Sequence, residues 1–193
     1  MIKVKSLVDG IGNQLITEKY YDNWALNYDH TLKNWNYKAP VKAANKLIKI
    51  NDKISSNLDL ACGTGMFAKE LKKKYPNIVI DGCDISSQSL KIAKLKNLYR
   101  NLFKKSFENK IKISKKYELV SMIGSMTYCK KPKTLFSLIF SYLKKDGIFI
   151  FTHRIDLWEK QNFDLLVNNC NTDVPSLEMH CSITLQPVCL SNS

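Results

Sequence analysis

The chain has 193 residues, 45% of them hydrophobic and 24% charged, enough apolar length to bury a core without disulfide or metal staples and too much to stay disordered. Lys and Arg number 30 against 17 Asp and Glu, a formal charge of +13, yet only Arg100 and Arg154 are arginines. Bidentate contacts to bases and phosphates are arginine contacts, so the excess describes a lysine-rich solvated surface better than a nucleic-acid interface. No apolar run nears the roughly 18 residues of a membrane span, and residues 1–12 lack the apolar core of a secretory signal. A soluble protein of the cytoplasm, with the nucleus as a second compartment and no membrane partner, is expected.

The first fifty residues read as helices. Tyr21, Trp24, Ala25 and Tyr28 recur on one helical face, and Ala43, Ala44, Leu47 and Ile48 form a second stripe after Pro40. From there short apolar runs alternate with helical stretches. Strands are expected at about 54–60, 78–83, 102–107, 119–123 and 148–152. The helices between them carry Phe67, Leu71 and Tyr75, then Leu90, Ile92 and Ala93 behind a Ser86 cap, then Leu135, Leu138, Ile139 and Tyr142 behind Pro132. Five strands joined by helical crossovers imply an α/β fold, a doubly wound, mostly parallel sheet whose ligands lie beyond the carboxyl ends of its strands.

Among the six cysteines, Cys62, Cys83, Cys129, Cys170, Cys181 and Cys189, none forms a CxxC pair. Reduced thiols are expected and no metal site. Residues 161–193 contain no Lys or Arg while residues 1–160 hold all 30. One helix is expected over Leu157 to Val167, and after it only Met179 to Leu190 could supply a strand.

The chemistry concentrates where the first strand ends, in Leu58-Asp59-Leu60-Ala61-Cys62-Gly63-Thr64-Gly65. Gly63 and Gly65 allow a tight turn and close approach of a ligand to the backbone, and the helix that follows offers free N–H donors. Asp84, at the end of the second strand, can accept both hydroxyls of a ribose. Gly63-x-Gly65-x-x-Ala68 also satisfies the dinucleotide fingerprint. Asp59, four residues before the first glycine, favours a ligand with a cationic amino group over a pyrophosphate, whose charge it would oppose.

These residues resemble motif I of the class I S-adenosylmethionine-dependent methyltransferases, and Asp84 falls on that superfamily's ribose-binding acid. Residues 21–29, 37–40 and 123–128 further resemble the methyltransferase-like family of the Williams-Beuren syndrome region. The resemblance implies a Rossmann-like fold with residues 1–50 as a helical cap, 51–169 as the S-adenosylmethionine-binding domain, and 170–193 as a divergent tail that the sequence allows to be disordered. It implies that Gly63 and Gly65 line the methionine and ribose portions of the donor, with Ala61, which stands where many relatives have glycine, also among the donor-binding residues. Asp59 holds the donor's amino group through water, Asp84 the ribose and Ile85 the adenine, with Ser106 on the adenine side and Ile123 also among the donor-binding residues. Ser106 stands where the superfamily often has an acid. Tyr21 and Trp24 are expected to close over the donor, Tyr21 reaching the sulfonium by cation–π attraction. The catalytic residues are not legible; His153, just past the fifth strand, is the one candidate base. The acceptor is expected against residues 124–128 and the first helix, with a small molecule favoured and a protein or RNA behind it.

The superfamily ends in a hairpin whose last strand lies antiparallel beside strand five. Its absence would leave strand five an exposed edge and open the acceptor side, which suggests a truncated or alternatively spliced C-terminus. Three readings stay open: an active methyltransferase, a donor-binding protein of weak activity, and an NAD-dependent oxidoreductase.

Overall fold

The computed structural model describes residues 11–173 and 178–184. Helix α1 (Gln14–Asn34) begins where the Asn13 side chain accepts the Ile16 N–H at 3.2 Å, and α2 (Ala39–Ile50) begins with Pro40 in its first turn. The alternating part then runs β1 (Ser56–Leu60), α3 (Met66–Lys74), β2 (Val79–Asp84), α4 (Ser87–Leu95), β3 (Asn101–Lys104), β4 (Tyr117–Met122), α5 (Pro132–Tyr142) and β5 (Leu143–Arg154). It closes with α6 (Ile155–Lys160), α7 (Phe163–Asp173) and β6 (Glu178–Thr184).

The strands form one six-stranded sheet in the order β3-β2-β1-β4-β5-β6, and every pairing is parallel. Alternation along each strand assigns residues to its two faces. Leu58, Leu60, Val120, Met122, Phe149 and Phe151 meet Leu135, Phe136, Ile139, Trp158 and Phe163 from α5, α6 and α7. Ile80, Leu119, Ile148 and Ile150 meet Ala43, Ala44 and Leu47 of α2 and Phe67, Ala68 and Leu71 of α3. Burial on both faces explains the near-continuous apolar character of β4 and β5 in the sequence. Strand order reverses at β1, between β2 and β4, so the crevice for a ligand opens at the carboxyl ends of these strands.

Four local expectations change. The single helix over Leu157 to Val167 is two, because Asn162 takes a left-handed conformation (φ +48°) that interrupts the helical hydrogen bonding between α6 and α7. The third strand stops at Lys104. Ser106 instead starts a turn, its Oγ accepting the Glu108 N–H at 3.3 Å. The fifth strand begins at Leu143, opposite Tyr117, and absorbs residues 144–147 as an irregularity around Asp146 (φ +60°) before Ile148 pairs with Leu119. The edge of β5 is covered. Residues 179–184 of the expected 179–190 strand, with Glu178 before them, pair with it over Ile148 to Arg154, in parallel rather than antiparallel, while residues 185–190 lie outside the described part.

Candidate active site

The turn after β1 takes left-handed backbone at Ala61 (φ +52°), Gly63 (φ +55°) and Gly65 (φ +88°). Only Ala61 carries a Cβ there, a conformation that costs an L-residue about 1–2 kcal/mol. A Cβ built on Gly63 would meet nothing within 4 Å, so the backbone there faces open space. One on Gly65 would lie 3.1 Å from the Tyr99 ring, and Gly65 serves as the N-cap of α3.

Asp84 ties this turn to the next one. Its Oδ2 accepts the Gly63 N–H and its Oδ1 the Ser86 N–H, each at 2.7 Å. Burial pushes its carboxyl up to about 6 despite those bonds. Asp59 is more deeply enclosed. The Ser121 hydroxyl donates to its Oδ1 and the Tyr99 hydroxyl to its Oδ2, both at 2.8 Å, and Asn57 Nδ2 donates to Ser121 Oγ at 2.9 Å. Burial pushes Asp59 to about 7, with the Asp84 charge adding to the effect. Tyr99 reaches Asp59 across Gly82, where any Cβ would come within 2.8 Å of the Tyr99 ring.

The α1 helix forms the facing wall and is clasped to the site mainly by its own acids. Asp22 Oδ1 accepts the Ser86 hydroxyl at 2.7 Å and the Gln88 N–H at 3.0 Å. Asp29 takes the Thr64 hydroxyl and the Lys96 ammonium, Glu18 pairs with Lys104 at 2.8 Å, and Gln14 Nε2 donates to Glu108 at 2.9 Å. Near the middle, Tyr21 donates to the Tyr128 hydroxyl at 3.0 Å.

Between wall and strand ends lies a cavity that brings together Tyr21, Ala61, Gly63, Asp84, Ile85, Ser106 and Ile123 of the residues singled out in the sequence. A second, smaller cavity contains Asp59 and shares Tyr28, Ala61, Gly63 and Ile123 with the first. Three residues line neither. Gly65 acts through the turn. Trp24 packs behind the wall, its ring 4.8 Å from Tyr28 and 5.6 Å from Trp35, with Nε1 donating to Thr31 Oγ1 at 3.3 Å. His153 is enclosed beside Phe163 at 4.6 Å, its Nδ1 2.9 Å from the Arg154 carbonyl oxygen, and burial holds its pKa below the usual value.

The cavity also uses residues that the sequence did not single out: Asn13, Gln14 and Thr17 at the start of α1, Lys105, Phe107 and Glu108 after β3, and Ser89 on α4. None belongs to a local motif. Tyr28, Ser125 and Tyr128, also in the lining, lay inside the helical stripe and the stretch expected to face the acceptor. Among the described residues no group of three metal-ligating side chains occurs, and no helix is long and apolar enough to cross a membrane.

Residues 58–149 match the family described as a methyltransferase domain. In Clostridium acetobutylicum, the S-adenosylmethionine-dependent methyltransferase of known structure is 27% identical, with a TM-score of 0.54 over 68% of this chain and 56% of its own. The matched stretch, residues 58–149, is a class I S-adenosylmethionine-dependent methyltransferase domain. Within the family, malonyl-[acyl-carrier protein] O-methyltransferase 2 of Ilyobacter polytropus is 31% identical over 142 residues, which is 69% of this chain and 49% of that enzyme. DesVI of Streptomyces venezuelae shares the methyltransferase fold at 21% identity and a TM-score of 0.52, covering 62% of this chain and 52% of its own. The chain spans about half the length of the curated relatives it matches.

Proposed function

We propose that this methyltransferase domain binds S-adenosylmethionine across the two joined cavities and delivers its methyl group to a small-molecule or carrier-linked acceptor. The observation that carries the reading is the pairing of Asp59 and Asp84, two buried carboxylates flanking an open Gly63 backbone, both raised by burial for want of a cation. A ligand carrying an ammonium and two ribose hydroxyls supplies what both lack, whereas a pyrophosphate would add negative charge beside them. The donor, when bound, supplies an activated methyl on a sulfonium.

Each residue then has a defined task. Asp84 keeps one lone pair on each oxygen for the ribose hydroxyls while the Gly63 and Ser86 N–H groups hold it in place. Ile85 and Ser106 border the adenine end, and Asp59 faces the methionine end through the smaller cavity with Ala61 and Ile123 between. Tyr21 and Tyr28 offer aromatic faces to the sulfonium. Trp24 supports those rings from behind. In-line displacement from a sulfonium needs alignment and exclusion of water more than proton transfer. The clasped α1 wall serves both. The O-methyltransferase relatives, named for a malonyl-[acyl-carrier protein] substrate, support a carrier-linked acceptor.

Gly63→Val tests this reading. The substitution has room for its side chain in the fold and carries backbone strain of about 1–3 kcal/mol, but places methyl groups where the donor must approach. Equilibrium dialysis with labelled S-adenosylmethionine is expected to show retention by the parent chain, displaced by S-adenosylhomocysteine, and at least a tenfold loss in a folded Gly63→Val variant. Undiminished retention by the variant would refute it.

A further inference from the structure

Asp59 stands in a row of residues that crosses the sheet, with Gly82 of β2 beside it on one side and Ser121 of β4 on the other. A glycine inside a central strand gives up packing and marks a place where another group comes close. Here that group is Tyr99, from the connection between α4 and β3. A Cβ built on Gly82 would lie 2.8 Å from its ring and one on Gly65 3.1 Å, so the ring fits against both glycines, and its hydroxyl donates to Asp59 Oδ2 at 2.8 Å.

From the other side the Ser121 hydroxyl donates to Asp59 Oδ1 at 2.8 Å. The direction of that bond is set one step further back. Asn57, on the same face of β1, donates through Nδ2 to Ser121 Oγ at 2.9 Å, which leaves the Ser121 proton for Asp59. Asn57 Oδ1 is buried without a partner, so the amide is turned toward Ser121 at the cost of an orphaned acceptor. Each oxygen of Asp59 thus receives one hydroxyl proton and keeps a lone pair for a further donor. No Lys, Arg or His lines the smaller cavity among the described residues.

We propose that Tyr99 and Ser121 are positioning residues for the donor: their hydroxyls fix the Asp59 carboxylate and direct its free lone pairs to the ammonium of S-adenosylmethionine, an inference that rests on the donor-binding reading above. Neither hydroxyl needs to touch the donor. Burial raises Asp59 to about 7, and the two hydroxyls act in the opposite sense by bonding to its charged form. Burial also holds the Tyr99 phenol well above its ordinary value, so its proton stays available while Asp59 titrates. The other titratable groups facing Asp59 are the Cys62 and Cys83 thiols and the Tyr28 and Tyr37 phenols, all raised by burial, and Asp84, raised to about 6. Of these only Asp84 shares the range of Asp59, and it is common to the parent and the variants below.

The test is calorimetric titration of the 193-residue chain with S-adenosylhomocysteine, which carries the same ammonium, between about pH 5.5 and 8.5. Affinity of the parent should rise with pH through a midpoint near about 7 as Asp59 becomes charged. Tyr99→Phe keeps the ring against both glycines. It should displace the midpoint upward by about one pH unit, weakening binding about tenfold at pH 6 and less than about threefold at pH 8.5. Ser121→Ala should displace it in the same direction. An analogue of S-adenosylhomocysteine without the amino group should bind the parent and Tyr99→Phe alike at pH 6. Parent-like midpoints in both variants, whether binding is weakened uniformly or left unchanged, or loss of the analogue in Tyr99→Phe, would overturn the positioning role alone. A parent chain that binds no S-adenosylhomocysteine at any pH would overturn the donor reading beneath it as well.

Discussion

Asp84→Ala is expected to weaken S-adenosylmethionine binding by about 10²–10⁴-fold. Two ribose hydroxyls donating to a buried carboxylate are each charge-assisted, worth about 1.5–3 kcal/mol apiece, and about 1.4 kcal/mol is a tenfold change in affinity. The same substitution orphans the Gly63 and Ser86 N–H groups, which the carboxylate holds at 2.7 Å. Part of the loss would therefore come from a loosened turn. Asp84→Asn separates the two contributions, since its carbonyl oxygen can keep one N–H while the charge is gone. Calorimetry should place Asp84→Asn between the parent and Asp84→Ala, with thermal melting showing both variants folded. An Asp84→Ala variant that binds donor within threefold of the parent would remove Asp84 from the site.

Asp59→Asn should do two opposite things: stabilise the unliganded chain at alkaline pH and weaken donor binding. The sign follows from the raised carboxyl. Asp59 sits at about 7 in the fold against an ordinary 3.8, so the fold prefers it neutral, and stability drains away as pH rises from about 4 to 7 and is flat above. That difference corresponds to about 4 kcal/mol at pH 8, and poorer hydrogen bonding by asparagine returns part of it, leaving a gain of about 1–3 kcal/mol. The melting temperature of Asp59→Asn should exceed that of the parent by several degrees at pH 8, and the gap should shrink by pH 5. Asp84, raised to about 6, pushes the parent the same way, and His153, depressed by burial, pushes the other way below its ordinary 6.5. Both are common to parent and variant, so the difference reports Asp59 together with its repulsion by the Asp84 charge. Donor binding near pH 6.5 should release protons from the parent as the ligand's ammonium draws Asp59 into its charged form. Proton release that persists undiminished in Asp59→Asn would assign the effect elsewhere.

Local spacing made the donor side readable. Asp59, Gly63 and Gly65 fall within seven residues, and the end of β2 fixes Asp84 once the strands are placed. The partners of these residues come from far along the chain. Tyr99 meets Asp59 at a separation of 40 positions and Tyr128 meets Tyr21 at 107, and no periodicity announces such contacts. The stripe Tyr21, Trp24, Tyr28 marks one face of α1 but not which rings reach the cavity. The angle at which α1 crosses the strand ends decides that, turning Tyr21 and Tyr28 inward and leaving Trp24 behind them. Strand direction is equally invisible to alternation. Residues 179–184 were recognisable as a strand, and their parallel pairing with β5 is set by where α7 delivers the chain. The break at Asn162 depends on a single left-handed residue within an otherwise helical pattern.

The central claim is that two buried acids and an open glycine turn at the ends of β1 and β2 recognise a cationic nucleoside donor. Parallel calorimetric titrations of the folded chain with S-adenosylmethionine and with NAD test it most directly. Saturable heat with S-adenosylmethionine, competed by S-adenosylhomocysteine, and none with NAD is the predicted result. Saturable heat with NAD, or none with S-adenosylmethionine, would contradict it.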